Sequence, residues 1–215
     1  MKTVKISAPT VEEALRKAIE CYDLREGEYE YTVIEKGSKG LFGLFAKNAE
    51  IEISFKADYF VRKLQEFLTN ILSVCGNVNV KVSCSNRRFL VELEGEDIGK
   101  LIGKHGKTLA ALQHIAMIYL NRMSDTKLLV SIDAGEYKKK RKKNLENVIK
   151  QAIQRVKLTK GKVVLDPMFA FERRIVHEMV KQHRNLKSYS IGVEPYRKVV
   201  IEYSSNGKDE DSQSD

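Results

Sequence analysis

Two glycines three positions apart, Gly103 and Gly106, stand between two runs of helical apolar spacing, and no other feature constrains the fold as much. Glycine tolerates φ > 0 and has no Cβ, so the chain can bend tightly there and another backbone can approach it closely. The segment Ile102-Gly103-Lys104-His105-Gly106-Lys107 encloses two basic side chains between the glycines. Upstream, Glu96-Asp97 starts a short helix that runs through Leu101. Downstream, Leu109, Leu112, Ile115, Ala116 and Tyr119 recur at the interval of a packed helix.

The surroundings extend the pattern. Asp58 is a candidate cap for a helix whose Val61, Leu64, Phe67, Leu68, Ile71 and Leu72 form one apolar stripe, stopped by Gly76 and Asn77. Strands are predicted at 78–83 and 89–93, joined by the polar turn Ser85-Asn86-Arg87, with a further strand at 128–132. The order is helix, two strands, helix, glycine turn, helix, strand. That is the layout of a type II KH domain, whose GxxG loop clamps about four nucleotides of single strand. Gly106-Lys107-Thr108 superficially resembles the end of a P-loop. Both that motif and the dinucleotide fingerprint require a glycine at 101, where Leu101 stands.

The flanking segments read differently. Toward the N-terminus, 2–7 alternate as a strand, and Thr10 with Glu13 marks a capping box before a helix bearing Val11, Ala14, Leu15, Ala18, Ile19 and Tyr22. Tyr29, Tyr31 and Val33 alternate, as do Ile51, Ile53 and Phe55, giving a β-α-β-β unit. Between those strands lies the loop Lys39-Gly40-Leu41-Phe42-Gly43-Leu44-Phe45, read as a turn whose Leu and Phe side chains fold back onto a very small core, with a partner-docking loop as the alternative. Toward the C-terminus, 136–157 predict a long helix. Its first half holds Lys138, Lys139, Lys140, Arg141, Lys142 and Lys143, and its second half a packed face of Leu145, Val148, Ile149, Ala152, Ile153 and Val156. Six cations in a row point all round a helix and suit contact with phosphates. Arg173 and His177, four apart, share one face of a later helix, which Lys181 prolongs.

Charge is unevenly placed. The net +9 divides into −2 over 1–55, +3 over 56–135, +11 over 136–203 and −3 over 204–215. One basic segment beside near-neutral ones is the footprint of a polyanion-binding region, and a membrane surface would also serve as the polyanion. Cys21, Cys75 and Cys84 are scattered without a C-x-x-C pair, so neither a disulfide framework nor a zinc site is suggested. Met1 to Pro9 has no signal-peptide core and no stretch is long enough to span a bilayer, so a cytoplasmic location is expected. No catalytic constellation is found: H-E-x-x-H and G-x-S-x-G are both absent, and no metal or cofactor is implied.

Three motifs in order carry a family resemblance. The run Leu101-Ile-Gly-Lys-His-Gly-Lys-Thr-Leu-Ala-Ala-Leu-Gln-His resembles the KH segment of the bacterial Jag family. Lys39-Gly40-Leu41-Phe42-Gly43-Leu44 resembles the motif of the Jag N-terminal domain. Asp166-Pro167-Met168, the run from Phe171 to His177 and the run from Glu194 to Ile201 resemble its R-three-H domain, although Ala170 and Phe171 replace a common Pro-Tyr. The expected fold is α+β in three small domains: Jag N-terminal over 1–56, KH over 57–135, R-three-H with the basic helix over 136–203, then a disordered acidic tail over 204–215. The resemblance implies single-stranded RNA binding through the KH loop and through an R-three-H face of Arg173, Arg174, His177, Lys181, Arg197 and Lys198. It also implies RNA-chaperone or post-transcriptional activity linked to cell shape and wall homeostasis, and a small KhpA-like partner with its own KH domain. Single-stranded DNA, a homodimer and peripheral membrane association stay open. The alternative is an adaptor at a membrane or ribosome, docking a protein through the loop around Phe42 and Phe45.

Overall fold

The computed structural model describes residues 2–38, 47–96 and 98–204. The loop 39–45, Asp97 and the tail beyond Ser204 lie outside the described residues, so the expectations placed on them have no structural counterpart here. Contacts divide the chain between Gly135 and Glu136 into two units.

The first unit begins with β1 (Thr3–Ala8), α1 (Val11–Tyr22), β2 (Tyr29–Ser38) and β3 (Lys47–Phe55). The strands form an antiparallel sheet with β3 in the centre. Alternation explains the burial: Ile51 and Ile53 point to the face covered by Ala14 and Ala18 of α1 and are wholly buried with them. The Thr10 hydroxyl accepts the Glu13 amide at 3.2 Å, closing the first turn of α1.

Only Lys56 separates β3 from α2 (Ala57–Leu72), which leads into β4 (Val78–Ser85), β5 (Arg88–Gly95), α3 (Ile98–Ile102), α4 (Lys107–Arg122) and β6 (Leu129–Ala134). Asn86 and Arg87 both take left-handed conformations, as a two-residue hairpin between antiparallel β4 and β5 requires. Strand β6 runs parallel to β5, so the chain must cross over between them, and α3, the glycine turn and α4 make that crossover. Phe60, Leu64 and Leu68 of α2 and Leu120 of α4 meet Phe89, Leu93 and Ile132 of the sheet in a dry core. Asn121 fixes the exit of α4: its side-chain oxygen accepts the Leu128 amide and its NH2 donates to the Leu128 carbonyl, both at 2.9 Å.

The second unit holds α5 (Tyr137–Thr159), β7 (Lys162–Val164), α6 (Ala170–Lys181), β8 (Leu186–Ile191) and β9 (Lys198–Tyr203). Its antiparallel sheet has β9 in the centre. Leu145, Ile149, Ile153 and Val156 of α5 pack with Val176 and Val180 of α6 over Val199 and Ile201.

Several expectations need correction. Lys56, not Asp58, occupies the N-cap of α2, and no side chain caps that helix. Asp58 sits in the first turn, where its charge favours the helix dipole. Ile71, Ile115 and Val148, read as members of packed stripes, lie on the exposed side of their helices because each stripe is narrower than its apolar count. Among the described residues no helix is long and apolar enough to cross a membrane.

Candidate nucleic-acid interface

The glycine turn is a strained backbone made feasible by its residue types. Gly103 has φ 68°, and a Cβ built there would fall 2.1 Å from the Thr108 hydroxyl and 2.8 Å from its Cβ, so no side chain fits. His105 is itself left-handed at φ 56°, and Gly106 follows at φ 81°. The amide of Gly106 donates back to the Gly103 carbonyl at 3.2 Å and closes the bend. Gly106 forms the buried corner, His105 is half-buried and Lys104 projects into solvent.

Directly after the bend, α4 starts with Gly106 at its N-cap, no side-chain cap and no acid in the first turn. The leading amides of a helix have no partner within it, and its N-terminus carries partial positive charge. The first of these amides, that of Lys107, donates to the Lys104 carbonyl, and the positive end of this 16-residue helix lies beside Lys104.

The basic run of α5 is not uniform. Arg141 donates from Nε to Glu172 Oε1 at 2.8 Å, and Glu172, only 1% exposed, also accepts the Phe169 amide at 3.0 Å. Glu172 thus caps the start of α6 and ties α5 to it. Lys139 lies 4.0 Å from the Glu136 carboxylate, while Lys138, Lys140, Lys142 and Lys143 are exposed.

Arg173 and His177 do share a face of α6, but β8 and the turn after it cover that face. Arg173 is 8% exposed; it donates to the Met168 carbonyl at 2.8 Å and pairs with Glu194 at 2.7 Å. His177 is half-buried, with Nδ1 2.7 Å from the Ser188 hydroxyl and Nε2 3.0 Å from that of Ser190. Burial, and then the charge of Arg173, push its pKa below the usual 6.5, so the ring is neutral near pH 7. Arg174, Lys181 and Arg197 are exposed, and Lys198 is half-buried. Among the described residues no group of three or more His, Cys, Asp or Glu side chains is placed to hold a metal ion.

Three family models match the chain in order: Jag N-terminus over residues 6–55, the KH domain of KhpA/KhpB over 62–132, and the R-three-H domain over 143–203. A Clostridium symbiosum protein named RNA-binding protein KhpB is 34% identical over 204 residues, covering 94% of this chain and 91% of its own. The chain belongs to the KhpB family. A Bacillus subtilis protein of the same name is 32% identical over 206 residues, covering 94% and 99% of the two chains. A Streptococcus pneumoniae KhpB is 29% identical over 198 residues, which are 89% of this chain and 56% of that one.

In this KhpB-family chain, sequence reasoning did not pick out Glu172, Glu194, Ser188 or Ser190. Three of the four carry a signal. Glu172 occupies the third position of α6, where an acid reaches back to the N-cap amide. Ser188 and Ser190 are two apart on a strand and therefore face the same way. Glu194 gives none, because its role depends on how the turn after β8 folds back onto α6.

Proposed function

We propose that the chain binds single-stranded RNA at two sites, one at the glycine turn and one on the R-three-H unit. The observation that carries this is the bend at 103–106: a left-handed turn that holds Lys104 out in solvent, with an uncapped 16-residue helix behind it. The names of the relatives, RNA-binding protein KhpB, support the choice of polymer. At the first site a phosphate sits at the positive end of α4 while Lys104 and His105 screen its neighbours. The second site uses Lys142, Lys143, Arg174, Lys181, Arg197 and Lys198. Arg173, Arg141 and His177 act as positioning residues that hold α5, α6 and the strand hairpin in place. Joining two weak sites raises affinity through effective concentration. Likeness to the Jag family is the support for placing this binding in RNA chaperoning and post-transcriptional control of cell shape, and for a small KH-domain partner.

The double variant Lys104→Asp with His105→Asp tests the first site. Severalfold weaker gel-shift affinity for a short single-stranded RNA, with an unchanged circular dichroism spectrum, is expected. Equal affinity in the folded variant would remove the turn from the binding site.

A further inference from the structure

With Arg173 and His177 turned toward β8, the outward stripe of α6 is made of other residues. Phe171, Arg174, Glu178 and Lys181 are the exposed positions on successive turns. Phe171 is 65% exposed, a large aromatic ring left in water at the head of a helix. It is not loose: its ring lies nearly parallel to that of Phe169, 11° apart with centroids at 5.8 Å. Arg174 is three positions on and therefore its neighbour on the helix surface.

The turn between β8 and β9 is drawn to the same end of α6. Arg173 reaches across to Glu194 at 2.7 Å, and the Met168 amide donates to the Arg197 carbonyl at 3.2 Å. That turn carries a second exposed aromatic, Tyr196 at 69%, beside exposed Arg197. Two exposed aromatics, each flanked by an arginine, thus sit on elements pinned to each other. Segment 136–203 holds 18 cations against 7 anions, so the partner that complements this surface is a polyanion with flat apolar parts.

We propose that Phe171 is a base-stacking platform for a single-stranded polynucleotide, with Arg174 gripping the adjoining phosphate and Tyr196 with Arg197 extending the track. This rests on the RNA-binding reading and assigns the contact to a residue outside the arginine–histidine pair. An aromatic face accepts any base, so the subsite adds affinity without strong sequence preference. Phe169 behind it holds the ring in place and reduces the entropy lost on stacking. Arginine suits both roles beside it, through its planar fork of donors and its stacking face.

The chain has no tryptophan, so Phe171→Trp creates a single reporter. Full-length protein is titrated with a fluorescein-labelled oligoadenylate about 12 nucleotides long, within the ~4–16 span of single-strand sites. A parallel titration uses an abasic ribose-phosphate chain of equal length. Phe171→Ala is expected to weaken oligoadenylate binding about fivefold or more and to leave binding of the abasic chain unchanged. Phe171→Trp is expected to retain affinity, with its emission quenched by oligoadenylate and not by the abasic chain. Unchanged oligoadenylate affinity in Phe171→Ala, or an indole blind to the bases, overturns the platform while RNA binding stands. Failure of the unmodified protein to bind oligoadenylate overturns both.

Discussion

Single residues in this chain carry roles that their types do not announce. Gly103 is the clearest: Thr108 fills the space a Cβ would need. Gly103→Ala should cost about 2 kcal/mol from a left-handed φ and a steric clash together, and weaken RNA binding as the bend opens. Urea denaturation monitored by circular dichroism measures it, and a change within about 0.3 kcal/mol would show that Thr108 yields freely. His177 has a pH signature. Its folded pKa lies below the ordinary 6.5, so the unfolded chain binds more protons as pH falls through that region. Stability contributed by the neutral ring is therefore complete above about pH 6.5 and lost on acidification. His183 is shifted the same way, by burial and then by Lys157, so His177→Gln should remove part of the melting-temperature fall between about pH 7.5 and 5.5, not all of it. An identical pH profile in the variant would place the effect elsewhere.

At the level of elements, α5 shows why a charge run must be resolved residue by residue. Arg141 neutralises Glu172, which is buried at the start of α6, while Lys142 and Lys143 stand in solvent. Arg141→Ala leaves a buried carboxylate without its cation and should destabilise the unit by on the order of 3 kcal/mol. Lys142→Ala should change stability by no more than about 0.5 kcal/mol. The RNA readout should reverse this order. Removing Lys142 and Lys143 together should reduce the slope of log affinity against log salt by about 0.7 for each phosphate that the pair neutralises. Equal destabilisation by Arg141→Ala and Lys142→Ala, or an unchanged salt slope in the double variant, would show that the two classes do not differ.

At the scale of the molecule, the N-terminal sheet and the KH core are joined into one unit by an ion-pair hub. Arg62 of α2 forks onto Glu28, with its outer nitrogen at 2.8 Å, and also reaches Asp23 and Glu66 at 2.9 and 3.1 Å. Burial alone would raise the pKa of Glu28, but its bonds to Arg62 and to the Arg25 amide outweigh that and lower it. Lys63 and then Arg62 hold the Asp23 carboxyl down to about 2, so the hub stays ionised in mild acid. Beneath it, the rings of Tyr22, Phe55, Tyr59 and Phe60 contact one another edge to face across the boundary. Arg62→Ala strands buried Glu28 and should cost on the order of 3 kcal/mol, separating N-terminal from KH unfolding in hydrogen exchange. Retained joint protection would show that the aromatic contacts suffice.

Period and punctuation were enough to read the local elements. Alternation at 51–55, the stripe of α2, and the glycine pair between two helical patterns determined the KH and β-α-β-β layouts, because such signals depend only on neighbours in the chain. Which side chains stay in water was decided by tertiary structure. The i, i+4 spacing of Arg173 and His177 was legible, yet β8, brought back by its pairing with β9, covers that face and leaves Phe171 and Arg174 outward. Arg62 meets Glu28 and Asp23, Arg141 meets Glu172 and Arg173 meets Glu194 across 21 to 39 positions of sequence. Local periodicity holds no information about a contact made at that separation, since only the packing of whole elements sets which charges are buried together.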